Sequence, residues 1–600
     1  MAEVTVTDQT FDTEVVKAEI PVLVDFWAVW CVDPKTNIYK DNFNCIQAKL
    51  VTEGQSLIGW NGKQARGIVT YSKTISDGGH CRLIKTVAGR TIKLTDDHFV
   101  YTQKGWMKAD EIVTGDRVAI LPVRESLSFR GSGTIIVDAR TIIEIAGPKM
   151  KISSYIDDLH KKELLPLTED NPHILTLSRL VGALFSDGCL YQGKKDYREI
   201  SFVLGRIEDV EKLTSDLKSL GFTRLHVQER TNIGRIGKRV FRQHSFRVKC
   251  LSTSLYLLFR SLGVPGGNKL TQSVSIPLWI KSGAKAIKRE FLAALLGGDG
   301  PKLSINLTDR SKKLPYNHLS INDYEFHKTE DLVEDGLEFA DDLKNLFGEF
   351  GIKIAKIFID KERYKRRDGY KTVTVHLRFS RDFHTGYSLA QKVGYYYCRT
   401  KEEAAGYIGE FLRILLAKRR NWQSLYEKVL ELDKQRLSVK KIAEKLNLSY
   451  DTVFGWLKLS KKATVAYHLL KFPQWLKEVT TGLNDGLLWQ GVNITRKAYL
   501  PAVQRITVAP THNFIANGFL VHNCGPCQMQ NPILEELEKE FAGKVKFAKL
   551  NVDENPTVTS KYMVMSIPTL MIFKGGSSVK QMVGVQSKEV LVKELNQVLQ

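Results

Sequence analysis

Two stretches of this 600-residue sequence decide its fold: the apolar run VLVDFWAVW at Val22–Trp30 and the tetrapeptide CGPC at Cys524–Cys527. The first stretch predicts a buried strand, because branched and aromatic side chains dominate it. The second leads into a predicted helix. A strand that should directly precede this helix therefore lies almost five hundred residues upstream. We divide the chain accordingly into two flanks, 1–30 and 524–600, and an insert, 31–523.

The two flanks, set end to end, form 107 residues, which is the size of one domain. They alternate predicted strands and helices, and this order favours an α/β fold built on a sheet. The predicted elements after the first strand are a helix at 528–541, a strand at Val545–Val552, a helix at Pro556–Tyr562, strands at Thr569–Phe573 and Val579–Val585, and a closing helix that ends at Gln600.

The joined flanks resemble thioredoxins over their whole length. The resemblance rests on DFWAVW at Asp25–Trp30, CGPC at Cys524–Cys527, KLNVD at Lys549–Asp553 and SIPT at Ser566–Thr569. It implies that Cys524, at the positive end of a helix, attacks disulfides as a thiolate and that Cys527 resolves the mixed disulfide. No cofactor is implied.

Three further residues receive roles from this resemblance. Asp25 would be a buried carboxylate that moves protons for Cys527, with Lys549 nearby, and Pro568 would be a cis-proline facing the thiols. Disulfide-containing proteins and a thioredoxin reductase would be the partners. A lone Cys-x-x-Cys can also be half of a zinc site, but this sequence has no second one.

The ends of the insert resemble those of inteins. The matching stretches are CVDPKT at Cys31–Thr36, TDDH at Thr95–His98, HNFIANGFLV at His512–Val521 and the final pair His522–Asn523. The resemblance implies an all-β Hedgehog/intein splicing domain formed by 31–130 and 481–523. Arg505 stands where inteins often carry Asp or Cys, and the bulky Trp30 precedes the first scissile bond.

The chemistry of excision needs these residue types. Cys31 can convert the amide after Trp30 into a thioester, against which Thr95 and His98 would lie, with His98 supplying the proton for the departing nitrogen. Cys524 would then take over the N-terminal flank. Asn523 would cyclise and release the insert, helped by His522 and His512, which would polarise its carbonyl. No cofactor or energy source is required.

The charge of the chain is concentrated in the insert. The insert has 78 Lys and Arg against 52 Asp and Glu, whereas the flanks are slightly acidic. A solvated basic surface is one explanation, but so large an excess favours a binder of phosphate backbones.

Two similar apolar stretches in the middle of the insert each end in Asp-Gly: LVGALFSDG at Leu180–Gly188 and FLAALLGGDG at Phe291–Gly300. Small side chains would let two helices approach closely and bring Asp187 and Asp299 together, where they could share Mg²⁺. One such stretch alone would more simply be a buried helix that ends at a turn.

The pair resembles the motifs of LAGLIDADG homing endonucleases. The resemblance implies an α+β domain at 131–420 with two αββαββ-like halves. Its sheets, with the basic strands Tyr197–Leu204, Arg239–Lys249 and Lys371–Phe379, would saddle double-stranded DNA of the intein-free allele of the host gene.

The segment Leu437–Leu457 has the spacing of a small helix-turn-helix, placed within 421–480. The predicted core residues are Ile442, Ala443, Leu446, Leu448, Val453 and Leu457. Asn447 would take the left-handed turn position and Ser449 would cap the second helix. The side of this helix facing the major groove would present Tyr450, Asp451, Thr452 and Gly455. A plain helical hairpin is the alternative.

The sequence predicts a multidomain protein without a membrane span or signal peptide, and its few cysteines favour a cytoplasmic, reducing compartment. The alternative to a splicing precursor is a non-splicing fusion, or a DNA-binding protein with an inactive nuclease and disrupted thioredoxin flanks.

Overall fold

The computed structural model describes residues 4–27, 31–41, 45–76, 79–127, 129–148, 150–193, 197–236, 239–308, 316–361, 369–459, 471–484, 486–522, 525–552, 555–564, 568–584 and 586–600. Trp30, Asn523 and Cys524, three residues of the predicted splice junctions, lie outside this part of the chain.

The strands, in chain order, are β1 Val4–Val6, β2 Val22–Trp27, β3 Asn37–Tyr39, β4 Cys45–Gln47, β5 Ser56–Trp60, β6 Gln64–Ile75, β7 Gly79–Thr86, β8 Thr91–Thr95, β9 Phe99–Thr102, β10 Gly105–Lys108, β11 Arg117–Ile120, β12 Ile135–Val137, β13 Leu167–Thr168, β14 Gly188–Gln192, β15 Arg198–Leu204, β16 Leu225–Ile236, β17 Arg239–Cys250, β18 Leu303–Thr308, β19 Tyr316–Ile321, β20 Tyr324–Thr329, β21 Ile354–Lys361, β22 Thr372–Phe379, β23 Leu488–Leu500, β24 Val503–Ala509, β25 Asn513–Ala516, β26 Phe519–His522, β27 Lys546–Asn551, β28 Thr569–Lys574 and β29 Ser577–Val583.

The α-helices are α1 Ala139–Ala146, α2 Ser153–Lys161, α3 Ile174–Phe185, α4 Ile207–Ser219, α5 Thr253–Ser261, α6 Leu278–Lys281, α7 Lys285–Gly298, α8 Val333–Glu349, α9 Phe383–Tyr387, α10 Arg399–Lys434, α11 Val439–Leu446, α12 Tyr450–Lys458, α13 Phe472–Thr480, α14 Gly525–Glu540, α15 Pro556–Lys561 and α16 Lys588–Leu599. Short helical turns occupy Asp12–Val16, Ala48–Leu50, Lys269–Thr271, Glu330–Leu332 and Ser388–Val393.

The chain divides into two compact units. One contains Met1–Leu121 and Val479–Gln600, and therefore both flanks and both ends of the insert; the other contains Pro122–Glu478. Among the residues that the structure describes, no helix combines the length and the apolar character needed to cross a membrane.

The flanks form one five-stranded sheet with the strand order β1-β27-β2-β28-β29. Strand β2, from the N-terminal flank, lies between β27 and β28 of the C-terminal flank; Val24 pairs with Ala548 on one side and Met571 on the other. β2 runs parallel to β27 and antiparallel to β28. The α/β sheet predicted for the joined product therefore already exists in the unspliced chain.

Apolar side chains cover both faces of this flank sheet. Val24 and Phe26 pack on one face with the Asp12–Val16 turn, and Leu23 packs on the other with α14 and α16. Because β2 is buried on both faces, its residues form a nearly continuous apolar run, as is usual for an internal strand of an α/β sheet.

The two ends of the insert also share one sheet system. Its larger sheet has the order β4-β3-β25-β26-β9-β11-β23-β7-β8, with β10 beside β9, and a second sheet has the order β24-β6-β5. Strands β23 to β26 come from the C-terminal end of the insert, and the others come from the N-terminal end. The two ends of the insert thus form an all-β arrangement, with strands from Asn37 to Ile120 and from Leu488 to His522.

The second unit contains two halves with related layouts. In the first, α3 and α4 accompany a four-stranded antiparallel sheet, β14-β15-β17-β16. In the second, α7 and α8 accompany the hairpin β18-β19 and the sheet β20-β22-β21. The three strands predicted from basic segments are present as β15, β17 and β22.

Candidate functional site

Cys31, the first residue of the insert, is fully buried between two strands of the first unit. Val32 forms bridges with Leu94 of β8 on one side and with Gln504 of β24 on the other. Val32 and Gln504 exchange both backbone hydrogen bonds, at 3.0 and 2.8 Å. The start of the insert is thus held by backbone pairing from both ends of the insert.

Thr95 and His98 contact Cys31 directly. The Thr95 hydroxyl accepts a hydrogen bond from the Cys31 N–H at 3.1 Å, and the Thr95 N–H donates to the Cys31 carbonyl oxygen at 3.1 Å. Nδ1 of His98 lies 3.2 Å from the same carbonyl oxygen. Before reaction, Thr95 is the side chain that contacts the backbone nitrogen of Cys31, which is the scissile nitrogen. His98 contacts the carbonyl oxygen of Cys31 instead.

His98 is held in its neutral form. Burial, and after it the neighbouring His522, lower the pKa of His98 to about 3, although the backbones of Cys31 and His522 act in the opposite direction. A neutral imidazole can donate at one nitrogen and accept at the other, which suits a group that passes protons between two reaction steps.

The C-terminal end of the insert reaches the same place through β26. His522 ends this strand opposite Asn513 of β25, and its ring meets the ring of Trp106 edge-on, with centroids 5.0 Å apart. Since His522 also acts on the pKa of His98, the two ends of the insert converge on His98. Asn523 and Cys524, predicted to complete the junction, lie outside the described residues.

His512, the other histidine predicted to assist splicing, lies in the turn before β25. It has a positive φ of 53°, and its N–H donates to Val508 in the turn before β25. Its Nδ1 is buried and has no hydrogen-bond partner within the described part of the chain. The following residue, Asn513, binds both the N–H and the carbonyl oxygen of Trp60 and so fixes this turn.

Two residues of the site were not given a role by sequence reasoning. Gln504 clamps the Val32 backbone, and its side chain contacts Ser72 and Thr74 of β6 at 2.9 and 2.6 Å. Trp106 covers His522. Neither belongs to a short motif, so only the fold identifies them.

The predicted thioredoxin residues take their places on the flank sheet. Asp25 is 1% exposed and pairs with Lys549 of β27 and Leu570 of β28. Pro568 is buried just before β28, and its carbonyl oxygen accepts from Gly584 at 2.8 Å. The cis state predicted for Pro568 involves Ile567, which lies outside the described residues. Cys527 belongs to the first turn of α14, but its side chain is likewise outside them.

In the second unit, helices α3 and α7 pack with very close backbones. A side chain added at Gly182 would meet the carbonyl oxygen of Phe291 at 2.3 Å. At the ends of the helices, a side chain at Gly298 would meet Oδ2 of Asp187 at 2.8 Å. The small residues therefore do what the sequence predicted, because they let the two helix ends approach each other.

Asp187 and Asp299 consequently share one electrostatic environment. Both are exposed to solvent, yet the surrounding protein still desolvates them, which raises both pKa values, that of Asp299 to about 6. The charge of Asp187 adds to the increase at Asp299, whereas Lys269 and Lys401 oppose it at both carboxylates. Paired carboxylates with raised pKa values are typical of functional sites.

Two lysines missed by sequence reasoning close the ends of these helices in matching ways. Nζ of Lys269 donates to the carbonyl oxygens of Leu184, Phe185, Ser186 and Gly188. Nζ of Lys401 donates to those of Leu296, Gly297, Gly298 and Gly300. Burial lowers the pKa of both ammonium groups, while the two carboxylates act in the opposite direction.

The two helices predicted within Leu437–Leu457 are present as α11 and α12, packed on the end of α10 through a shared apolar core. Asn447 adopts the left-handed conformation, and Ser449 accepts a hydrogen bond from the Thr452 N–H, as predicted. The placement of Gly455 on the exposed side is wrong. Gly455 is buried, and its neighbour Trp456 packs against Trp422 and Tyr426 of α10. Phe454 is exposed instead, stacked on Tyr450.

Both the insert and the flanks are similar to known proteins. Residues 29–523 match the family model described as the intein splicing domain, and residues 506–597 match the model described as thioredoxin. Thioredoxin from Alicyclobacillus acidocaldarius subsp. acidocaldarius is 58% identical over 77 residues, covering 13% of this chain and 73% of that protein. Thioredoxin from Staphylococcus aureus is 44% identical over 100 residues, covering 16% of this chain and 96% of that protein.

The insert is similar to segments of larger proteins. DNA-directed RNA polymerase subunit Rpo1N from Methanocaldococcus jannaschii is 31% identical over 454 residues, which cover 74% of this chain but 30% of that protein. The chain therefore spans less than a third of that relative. Among solved structures, a mutant of the Ssp DnaB mini-intein matches with 21% identity, a TM-score of 0.15, and coverage of 17% of this chain and 66% of that one.

Proposed function

Since the chain belongs to the intein splicing family over residues 29–523 and its flanks belong to the thioredoxin family, we propose that it excises residues 31–523 and joins Trp30 to Cys524. The product would be a thioredoxin of 107 residues. The observation that carries this proposal is the meeting of Cys31, Thr95, His98 and His522, which come from opposite ends of the insert.

The first step starts from the contacts of Cys31 with Thr95 and His98. Sγ of Cys31 attacks the carbonyl carbon of Trp30, the bond between Trp30 and Cys31 breaks, and a thioester replaces the amide. The thiol proton ends on the freed amino nitrogen of Cys31. Thr95 holds that nitrogen, and the neutral His98 is placed to relay the proton after a small movement of its ring.

The later steps use the other junction. Cys524 attacks the thioester and takes the N-terminal flank. The side-chain amide of Asn523 then attacks its own carbonyl carbon, which breaks the bond to Cys524 and releases the insert as a cyclic imide. His522 is placed beside His98 to assist this step. The thioester to Cys524 finally rearranges to the amide, so no cofactor is consumed.

Intact mass measurement after expression in a heterologous host tests the proposal. We expect a joined product of 107 residues and a free insert. A single species of 68.0 kDa would contradict splicing. The variant Cys31→Ala combined with Asn523→Ala should give only the full-length chain, and joined product from that variant would contradict the assigned roles.

After excision we propose a thiol–disulfide oxidoreductase. Cys524 would attack a substrate disulfide, Cys527 would resolve it, and the buried Asp25 would take part in proton transfer. Reduction of a protein disulfide such as that of insulin by the joined product tests this. Joined product with Cys527→Ser should form a stable mixed disulfide and fail to turn over.

A second activity is favoured by the convergence of α3 and α7: we propose that the insert cuts double-stranded DNA. The two carboxylates, Asp187 and Asp299, offer the oxygen ligands that Mg²⁺ prefers and would hold it. A bound Mg²⁺ ion supplies charge neutralisation at the scissile phosphate. Lys269 and Lys401 place two cations beside the carboxylates, where they would also face a phosphate backbone.

The test uses a duplex that encodes the joined junction, with Mg²⁺ as the metal. We expect a double-strand break that is lost in Asp187→Asn and in Asp299→Asn, while splicing continues. Glu211→Gln, on the exposed side of α4, is the matched control and should cut normally. Unchanged cleavage in the two Asp variants would contradict the site.

We also propose that α12 contacts DNA through the exposed residues Tyr450 and Asp451 and the half-buried Thr452, with Phe454 beside them. Binding of the duplex should weaken by about 1–3 kcal/mol for Thr452→Ala if it contacts a base. Glu427→Ala on α10 is the control. If Thr452→Ala and the control bind equally, the segment is a helical hairpin without a reading function.

A further inference from the structure

We propose that the guanidinium group of Arg505 stabilises the thiolate of Cys31 and thereby prepares this nucleophile for the first step of splicing. The inference rests on the proposed splicing function. Inteins often carry Asp or Cys at this place, so a buried arginine there calls for a different way of preparing the nucleophile.

The position of Arg505 follows from the strand register. Val32 pairs antiparallel with Gln504, so the next pair along the two strands is Cys31 with Arg505. Directly opposite residues in antiparallel strands point to the same face, with Cβ atoms about 4.5–5.5 Å apart. On its other side Cys31 is opposite Thr95, and Thr95 is opposite Cys81 of β7. These four residues form one row across the strands.

Packing shows from which face of β24 the Arg505 side chain projects. Cys31 shares an apolar cluster with Val503, Cys81 and Leu500. Val503 is two residues before Arg505 on β24, and residues two apart on a strand point to the same face. Arg505 therefore projects from the face that packs against Cys31, whereas Gln504 projects from the other.

The pairing register between Val32 and Gln504 is well defined. The side chain of Gln504 is bound to Ser72 and Thr74, and its backbone is bound to Val32, so a slip of one residue would break all these hydrogen bonds. Arg505 is only 9% exposed, and its guanidinium carbon lies 5.6 Å from the ring centroid of Tyr71.

The charge of Arg505 acts in a setting with little water. Cys31 has no exposed surface, and burial by itself disfavours a thiolate. An arginine stays protonated in proteins, and a cation beside a cysteine favours its thiolate form. Because the effective dielectric constant is low there, this effect is stronger than for an exposed pair.

Among the described residues, another cation near this row is Lys93, and the carboxylate of Asp33 lies 3.9 Å from its Nζ. On the β8–β9 side, His98 is neutral, and Cys81 on β7 is a thiol whose pKa is raised by burial. Asp33, Lys93 and Asp96 act on Cys81 with mixed signs. His522 approaches from β26. Lys73, opposite Arg505 on β6, is exposed to solvent.

The step that this charge assists conserves atoms and electrons. The Cys31 thiol gives up its proton, the thiolate forms a bond to the Trp30 carbonyl carbon, and the carbon–nitrogen bond to Cys31 breaks. The released proton is returned to the amino nitrogen, so neither oxidant nor reductant is needed.

The test isolates the first step in the full chain. With Asn523→Ala and Cys524→Ala as background, the thioester is cleaved by dithiothreitol, and release of residues 1–30 is followed as a function of pH. We expect Arg505→Gln to move the midpoint of the pH–rate profile upward by about one unit and to lower the rate at pH 7 about tenfold. Arg505→Lys should restore most of both.

Lys73→Met is the matched control, since it removes an exposed cation opposite Arg505, and its profile should be unchanged. An unchanged midpoint in Arg505→Gln, or in Arg505→Met if the amide variant does not fold, overturns the proposal. If even the background chain releases no N-terminal flank with dithiothreitol, the splicing function itself fails, so the two failures are distinguishable.

Discussion

The flank sheet and the splicing sheet, which is the strand system β3–β11 and β23–β26 formed by the two ends of the insert, differ in how they hold the segments next to the junctions. Both pair whole strands from distant parts of the chain: β2 with β27 and β28 in the flank sheet, and β24 with β6 in the splicing sheet. Strand β2 is buried between two apolar layers, whereas Cys31 is held through the two bridges of Val32 and a few hydrogen bonds. The two flanks can therefore fold together before they are joined, while the reacting groups are held locally.

The largest effect is expected from a change that removes a contact of Cys31 and leaves the flank sheet intact. His98→Ala should slow cleavage at the first junction by about 10²–10⁴-fold, because it removes the proton relay beside Cys31. The joined product is quantified by mass after a fixed time. His80→Ala, an exposed histidine on β7, serves as the control. A rate within threefold of the wild type would remove His98 from the mechanism.

The next prediction compares the two sheets with equal truncations. Phe26→Ala in β2 and Phe514→Ala in β25 each remove a fully buried ring and should each cost about 3–5 kcal/mol of stability. We expect both to lower the yield of joined product, with Phe514→Ala lowering it more because β25 belongs to the splicing sheet. If Phe26→Ala splices like the wild type, the flank sheet does not help to hold the junctions.

A third prediction uses pH to weaken the splicing sheet selectively. The pKa of His98 is lowered from 6.5 to about 3 in the folded chain, so the unfolded chain binds a proton in this window that the folded chain does not. Stability should therefore fall as the pH drops below 6.5, by about 1.4 kcal/mol per pH unit down to about pH 3, and stay level above 6.5.

Denaturant unfolding at pH 7 and pH 4.5, in the non-splicing background Cys31→Ala with Asn523→Ala, measures this loss. His98→Gln should reduce it by about 2.7 kcal/mol. The same pH loss with and without His98 would show that other groups govern the acid sensitivity.

The smallest effect concerns the residue that serves both regions. Cys524 is the nucleophile of the second splicing step and, later, the redox cysteine of the product, so a Cys524–Cys527 disulfide in the precursor would block splicing. We expect joined product to form a few times faster with a thiol reductant, and Cys527→Ser to remove the dependence. Equal yields with and without reductant would contradict this prediction.

Much of this organisation could be predicted from short motifs, because each motif carries its own chemistry. The run at Val22–Trp27 is a strand as predicted, and helix α14 begins at Gly525, three residues before its predicted start. The motifs containing Asp187 and Asp299 do end adjacent helices. The prediction for Gly455 was wrong because helical spacing alone does not show which side of a helix becomes buried. Gly455 is buried on α12, next to Trp456, which lies in the apolar core shared with α10.

Local motifs and charge were enough to locate the two junctions, to name the residue types that could cut and rejoin them, and to divide the chain into acidic flanks and a basic insert. The fold was needed to show that β2 is already paired across the insert, that Thr95 rather than His98 meets the Cys31 nitrogen, and that Arg505 lies opposite Cys31. Those facts depend on strand register between residues hundreds of positions apart, which hydrogen bonding and packing fix and which no short motif contains.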